Sequence, residues 1–411
     1  MKHLLVILLS FAFSAVSAET MSSDSARHIG FTIDVNPSTH VGLDEWMKDM
    51  QKHHKAFSAK TELNWVALPG DSSAYDSDFN YPTLSVGFRF NWDDVTLNKH
   101  DAEGIPDSKL GNLATTYFSF ARPFIRNRHW MFDYTLGTGI TYSHLKYNKN
   151  TNLDDELAGS RWLIYFTAGL HATYRIAKDW GIRAGIDYYH SSNGALNRPN
   201  KGANFIGPTL GVVYMPYYQA LENRQKNRYR QPFKPYLFTN ITLGVGGKVL
   251  NEDWLYTQYK LSPDSAGYRT GRFHFYTAYS AQADVMYRYA RRWASGIGVD
   301  LFYGSYSNRL KTIDELYGYE NQKHSPWSVG LAFKHQVYYH NLSLSMSFGW
   351  YIYHHLGQQA QYEDKPYYER IGLHYSFPSM GGFTIGANIA AHKTKADFTE
   401  IVVCLPIRLT R

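Results

Sequence analysis

The sequence predicts an all-β protein: an antiparallel transmembrane β-barrel of about 12–16 strands, with long extracellular loops and short periplasmic turns. Three observations carry this expectation. Stretch after stretch alternates an apolar residue with a small or polar one, the period of a strand with one oily and one wet face. The 34 Tyr, 23 Phe and 10 Trp among 411 residues accompany a negative mean hydropathy. Aromatic girdles and a wet interior produce that combination in a barrel wall. Finally, the links between candidate strands alternate in length along the chain.

The N-terminus sets the compartment. Met1-Lys2-His3 is a short basic start, Leu4 to Phe13 an apolar run, and Val16-Ser17-Ala18 a small-residue cleavage site. This reads as a Sec-type signal peptide over 1–18, leaving 19–411 as the barrel and predicting export to a Gram-negative outer membrane. The apolar run is about half the ~20 residues a helical span requires. A single cysteine, Cys404, excludes an intrachain disulfide framework, so stability must come from strand pairing. The net charge of +7 suits phosphate-bearing lipid headgroups as well as plain solvation, and no run of Lys and Arg is dense enough to argue for nucleic acid.

Candidate strands fall near 28–35, 61–68, 83–91, 114–121, 130–142 and 163–174, followed by the pair 181–192 and 204–214. A second series follows near 236–245, 273–287, 294–303, 327–338, 342–353, 367–377, 383–391 and 398–407. Links at 125–128, 177–179, 291–292, 340–341 and 379–381 are tight. Those at 92–109, 146–159, 251–271 and 307–325 are long and polar. Short turns mark the periplasmic end of such a barrel, which puts the loop after Ser192 outside. The stretch 44–56 has helical spacing (Trp46, Met47, Met50) and reads as a short surface helix or folded-over loop. The link 219–235, with Arg224, Lys226, Arg228 and Arg230, is too long for a periplasmic turn. It splits the chain into halves of about 26–218 and 234–411. One large barrel is expected over two small ones in tandem, because a seam costs less than exposed strand edges.

The chemistry concentrates in the pair 181–214. Ile182, Ala184, Ile186, Tyr188, His190 and Ser192 share one face, and Arg183, Gly185, Asp187, Tyr189 and Ser191 the other. On the next strand Asn204, Ile206, Leu210, Val212 and Tyr214 share a face, against Gly207, Thr209 and Gly211. A His, a Ser and an Asn therefore gather at the loop end of an oily surface. A serine hydroxyl needs an adjacent base to become a nucleophile, and His190 stands two residues from Ser192 on the same side. Asn204 could hold the imidazole tautomer through its side-chain oxygen. Asn200 and the backbone N–H groups around Gly194 and Ala195 could hold an oxyanion.

Taken bare, H-x-S is a weak signal. The longer pattern His190-Ser191-Ser192-Asn193-Gly194 followed by Pro199-Asn200-Lys201-Gly202 is far more specific. It resembles the lipid A 3-O-deacylase family of outer-membrane barrels, in which the His is base, the Ser nucleophile and the Asn of P-N an oxyanion donor. The third member in that family is a Glu, where this chain has Asn204. His190, Ser192, Asn193, Gly194 and Asn204 also resemble the His-Ser-Asn site of outer-membrane phospholipase A, so a neutral orienting group is chemically sufficient. The calcium loop of that phospholipase carries an Asp where this chain has Asn197, which argues against a hard-ion requirement. The resemblance thus implies an ester hydrolase with catalytic Ser192, His190 and Asn204. Asn200, Asn193, Gly194 and Ala195 would be oxyanion or positioning residues, with no metal and no cofactor. It is specific over about thirty residues, and chains with such a second half resemble those identified as acyloxyacyl hydrolases. The implied substrate is lipid A, part of lipopolysaccharide; homodimerisation is left open. Phospholipase A and a non-catalytic porin are the competing readings.

Other polar clusters have simpler explanations. By parity His392 and Glu400 face the lumen, where polar networks brace a barrel. Adjacent histidines (His53-His54, His354-His355) point apart on a strand. Asp187 lies on the face opposite His190, and Asp154, Asp155 and Glu156 read as a solvated acidic loop.

Overall fold

The computed structural model describes residues 28–43, 45–70, 73–98, 107–222, 232–361, 366–393 and 395–410. The expected signal segment 1–18 and the basic residues Arg224, Lys226, Arg228 and Arg230 lie outside the described residues. The chain forms two closed antiparallel barrels of eight strands each. The first contains β1 (Ile29–His40), β2 (Lys55–Val66), β3 (Thr83–Asp93), β4 (Leu113–Arg126), β5 (Trp130–Ser143), β6 (Trp162–Arg175), β7 (Trp180–Ser192) and β8 (Ala203–Tyr214). The second contains β9 (Tyr236–Val249), β10 (Phe275–Ala290), β11 (Trp293–Gly304), β12 (His324–Tyr339), β13 (Leu342–Leu356), β14 (Tyr367–Phe377), β15 (Phe383–His392) and β16 (Lys395–Arg408).

The expectation of one large barrel is thereby corrected. β8 turns back onto β1, with Phe31 opposite Tyr214 and His40 opposite Phe205, so no edge remains to receive β9. That strand instead pairs with β10 and β16. Two closures leave as few edges as one, so the edge penalty that favoured a single barrel does not separate the two arrangements. The long link falls between the barrels, and tight turns lie mostly at one end of each and long loops at the other. The exceptions are the link 67–82, which carries the short helix Ala74–Asp78 at the turn end, and the two-residue link between His392 and Lys395 at the loop end.

Parity decides what each wall residue meets. Phe118, Ile140, Leu170 and Leu210 point outward from the first barrel, and Ile297, Phe333 and Ile401 from the second. Aromatic rings cluster near both rims. Trp180 lies 5.1 Å from Tyr214, and Trp130 4.8 Å from Tyr174, at one end. Tyr142 and Trp162 meet at 5.2 Å at the other. These are the girdles anticipated from composition.

The lumens are filled with paired charge. In the first, Lys60 contacts Asp187 at 2.8 Å and Asp34 at 3.2 Å, and Arg89 contacts Asp187 at 2.8 Å. In the second, Arg370 bridges Asp300 and Glu400 at 3.2 and 3.1 Å, and Asn388 donates to Glu400 at 2.9 Å. Buried charges survive in such a space only when paired. The first lumen retains a cavity of about 30 Å³ beside Glu62 and Arg183, room for ordered water but not for a solute.

A cap closes the outer mouth of the first barrel. From Glu45 the chain forms a helix, Glu45–Met50, and a short strand, Gln51–His53, in a three-stranded sheet with Thr96–Leu97 and Ser108–Lys109. Met47, Leu97, Leu110, Leu157 and Phe205 share one buried apolar cluster beneath it. The acidic loop is therefore not solvated, contrary to expectation: Asp154, Asp155 and Glu156 are all buried. Asp154 meets Arg269 of the second barrel at 3.7 Å, and Glu156 meets Lys201 at 3.4 Å. Spacing alone could not show that a distant arginine arrives here.

The barrels touch at both ends. At the turn end, Asp76 accepts from the Tyr339 hydroxyl at 2.6 Å, and Arg288 donates to the Tyr75 hydroxyl at 2.9 Å. At the loop end, the rings of Tyr147 and Trp254 pack edge to face at 4.9 Å.

Candidate active site

β7 and β8 pair in a register that sets His190 directly opposite Asn204. Both project from the outer face, which is apolar along Ile182, Ile186, Ile206 and Leu210. Ser192, two residues beyond His190, comes round to the same side. Its Oγ lies 2.8 Å from His190 Nε2. On the far side of the ring, Nδ1 lies 2.7 Å from Asn204 Oδ1. An amide oxygen only accepts, so Nδ1 carries the proton and Nε2 presents its lone pair to the serine hydroxyl. Tyr188 donates to the same Asn204 oxygen at 2.8 Å, and two converging donors orient that amide. The phenol is a contributor that the spacing did not single out. Its signal was available, since Tyr188, His190 and Ser192 alternate on one face.

The loop after Ser192 is a tight turn. Gly194 and Ala195 both have positive φ, 62° and 69°, and Leu196 N–H donates to Asn193 C=O at 3.2 Å. Those are the marks of a type I′ turn. Asn200 holds its base, with Oδ1 accepting Asn193 N–H at 2.8 Å. Among the described residues no protein acceptor takes the N–H of Gly194 or Ala195. Two backbone donors therefore stand two and three residues beyond the serine. Asn197 is engaged elsewhere: its side-chain nitrogen donates to Gly159 C=O at 2.8 Å.

Gly202, at φ 75°, forms the floor. A Cβ there would sit 2.7 Å from His190 Cε1 and 3.1 Å from the Ser192 Cβ, so only glycine lets the loop approach the ring this closely. Backbone bonds from Lys201 N to Glu156 O (3.0 Å) and from Gly202 N to Leu157 O (3.1 Å) seat this strand start on the buried acidic loop. Within that loop, Asp155 accepts from Leu157 and Ala158 N–H groups at 3.2 and 3.3 Å. Burial pushes its carboxyl well above the usual carboxylate range. Among the described residues no group of three or more His, Cys, Asp or Glu side chains is arranged to hold a metal ion.

Ser191 faces the other way, with its hydroxyl 3.1 Å from that of Thr141. Asp187 lies in the lumen with Lys60, Arg89 and His171. His392 and Glu400 also point inward, into the second barrel. None of these reaches the outer cluster.

Lipid-facing walls, aromatic girdles and lumens filled with paired charge define an outer-membrane β-barrel protein. Residues 72–213, which include His190, Ser192 and Asn204, match the family model described as lipid A 3-O-deacylase (PagL). Residues 237–408 match the one described as acyloxyacyl hydrolase, C-terminal domain. The first match covers β3 to β8 of the first barrel, and the second covers the strands of the second barrel. No curated protein matches the chain. Among solved structures, the COG4313 outer membrane channel from Pseudomonas putida F1 aligns at 9% identity over 95% of this chain and 100% of its own, with a TM-score of 0.20. Pseudomonas aeruginosa OccK8 (OprE) aligns at 10% identity over 93% and 98%, with a TM-score of 0.21. Superposition that poor carries no argument about fold or activity.

Proposed function

We propose that this chain is an outer-membrane serine esterase that removes an ester-linked acyl chain from lipid A. The observation that carries the reading is the hydrogen-bonded series Ser192–His190–Asn204 on the lipid-facing side of the rim. The two family matches support the same substrate class.

In this mechanism an acyl chain lies in the bilayer along the apolar wall, with Ile186 and Ile206 beside it and its ester at rim height. Ser192 Oγ attacks the ester carbonyl while His190 Nε2 takes the hydroxyl proton. Asn204 Oδ1 steadies the imidazolium through the Nδ1 proton and keeps the ring in place. Developing charge on the carbonyl oxygen is met by the free N–H groups of Gly194 and Ala195, with the Asn200 amide as a further donor. His190 then passes its proton to the departing sugar hydroxyl, leaving an acyl-serine. Water, deprotonated by the same histidine, attacks that ester and releases the fatty acid.

Mass spectrometry of lipid A from cells expressing the native chain or Ser192→Ala tests the reading. Loss of one acyl chain with the native protein only is expected. Identical lipid A in the two strains would overturn it. A Ser192-dependent change confined to phospholipids would favour a phospholipase instead.

A further inference from the structure

The second barrel supplies no member of the Ser–His–Asn series, yet it reaches the turn that follows the serine. Thr399, on the outer face near the start of β16, donates its hydroxyl to Gly194 C=O at 2.8 Å. Val249, the last residue of β9, donates its N–H to Ala195 C=O at 2.8 Å. In return Arg198 Nε donates to Val249 C=O at 2.9 Å. The fit is close: a Cβ on Gly194 would lie 2.5 Å from Thr399 Oγ1 and 3.0 Å from Ile164 Cδ1.

The carbonyls chosen matter. A peptide is planar and trans, so its C=O and N–H point in opposite directions. The Gly194 carbonyl grasped by Thr399 belongs to the same peptide as Ala195 N–H, one of the two unclaimed donors beside Ser192. Fixing the oxygen aims the N–H. The next peptide is fixed on both sides, because Val249 holds the Ala195 oxygen while Leu196 N–H is bonded to Asn193 C=O. Ala195 also carries a φ of 69°, which an L-residue keeps only where its surroundings over-determine it. Val249 and Thr399 of the second barrel supply part of those surroundings.

We propose that the second barrel serves the first as a positioning device for the oxyanion donors, with Thr399 the positioning residue that aims Ala195 N–H. The inference rests on the esterase reading above. A donor fixed before reaction stabilises the transition state without reorganising, so its loss appears in kcat and not in ground-state binding.

The test compares native protein, Thr399→Val and Thr399→Ser on a p-nitrophenyl ester of a medium-chain fatty acid in detergent micelles. Folding is checked by heat-modifiable migration, and Ser192 is titrated with a fluorophosphonate. Val keeps the shape and removes the donor; Ser keeps the donor. The expected result is a fall in kcat of about tenfold for Val, KM within about twofold, and near-native kcat for Ser. If the Val variant does not fold, Thr399→Ala is read in its place with the same expectation. Native kcat in the Val variant, a change in KM alone, or an equal loss in the Ser variant would overturn the proposal while leaving the esterase standing. A native protein that neither turns over the ester nor takes the fluorophosphonate would sink both.

Discussion

His190 Nδ1 and Asn204 Oδ1 face each other across a strand pair at 2.7 Å, joined by a register that places the two residues directly opposite. A carboxamide can hold the ring but brings no charge to the imidazolium. Asn204→Ala should therefore lower kcat by about 10- to 100-fold with the barrel intact. Asn204→Asp, which restores an acceptor of the same reach and adds charge, should retain turnover. Steady-state kinetics on micellar substrate would check both, and an unimpaired Ala variant would remove Asn204 from the mechanism.

Parity makes a sharper comparison. Ser192 Oγ lies 2.8 Å from the imidazole, whereas Ser191 bonds Thr141 inside the lumen. Ser192→Ala should reduce turnover by about a thousandfold or more. Ser191→Ala should remain within about twofold of native. The reverse pattern would mean that the reacting group faces the lumen.

Gly202 offers a steric test. A methyl group there would press within 2.7 Å of the His190 ring, on a residue at φ 75°. Gly202→Ala should cut kcat by about tenfold or more while heat-modifiable migration stays native. Full activity in that variant would show that the ring can move aside without cost.

Asp155 predicts a pH dependence of stability. Burial raises its carboxyl well above the ordinary range, so the folded loop binds this proton more tightly than the unfolded chain. Stability from this group is therefore fullest below the ordinary carboxylate pKa. It declines as pH rises from there toward the raised folded value. Asp155→Asn, a neutral mimic of the protonated acid, should flatten that decline in thermal unfolding followed across the acid to neutral range. An unchanged slope would assign the dependence to other groups.

Metal removal should be silent. Asn197 spends its side-chain nitrogen on Gly159 C=O and supplies no carboxylate at the loop where a hard ion would need one. Activity in excess EDTA should match that of untreated protein, and added calcium should not raise it. Loss with EDTA and recovery with calcium would contradict this.

Much of this architecture is written in local pattern. Period-two alternation marked the strands and told outward from inward residues, because a strand offers only two faces. Hence alternation alone separates Ser192 from Ser191 and assigns Glu400 and His392 to a lumen. Turn residues and alternating link lengths distinguished the two ends for the same local reason. Contacts between segments far apart in the chain leave no such trace. Whether β8 closes onto β1 or continues to β9 depends on a pairing between segments far apart in the chain, Phe31 with Tyr214 and His40 with Phe205, and alternation is identical in either case. The burial of Asp154, Asp155 and Glu156 depends on the cap and on Arg269. The grip of Thr399 on Gly194 joins residues 205 apart. A sequence by itself determines which way a side chain can face, since that follows from the backbone repeat. Only the tertiary structure decided what it meets there, since that depends on where the chain closes.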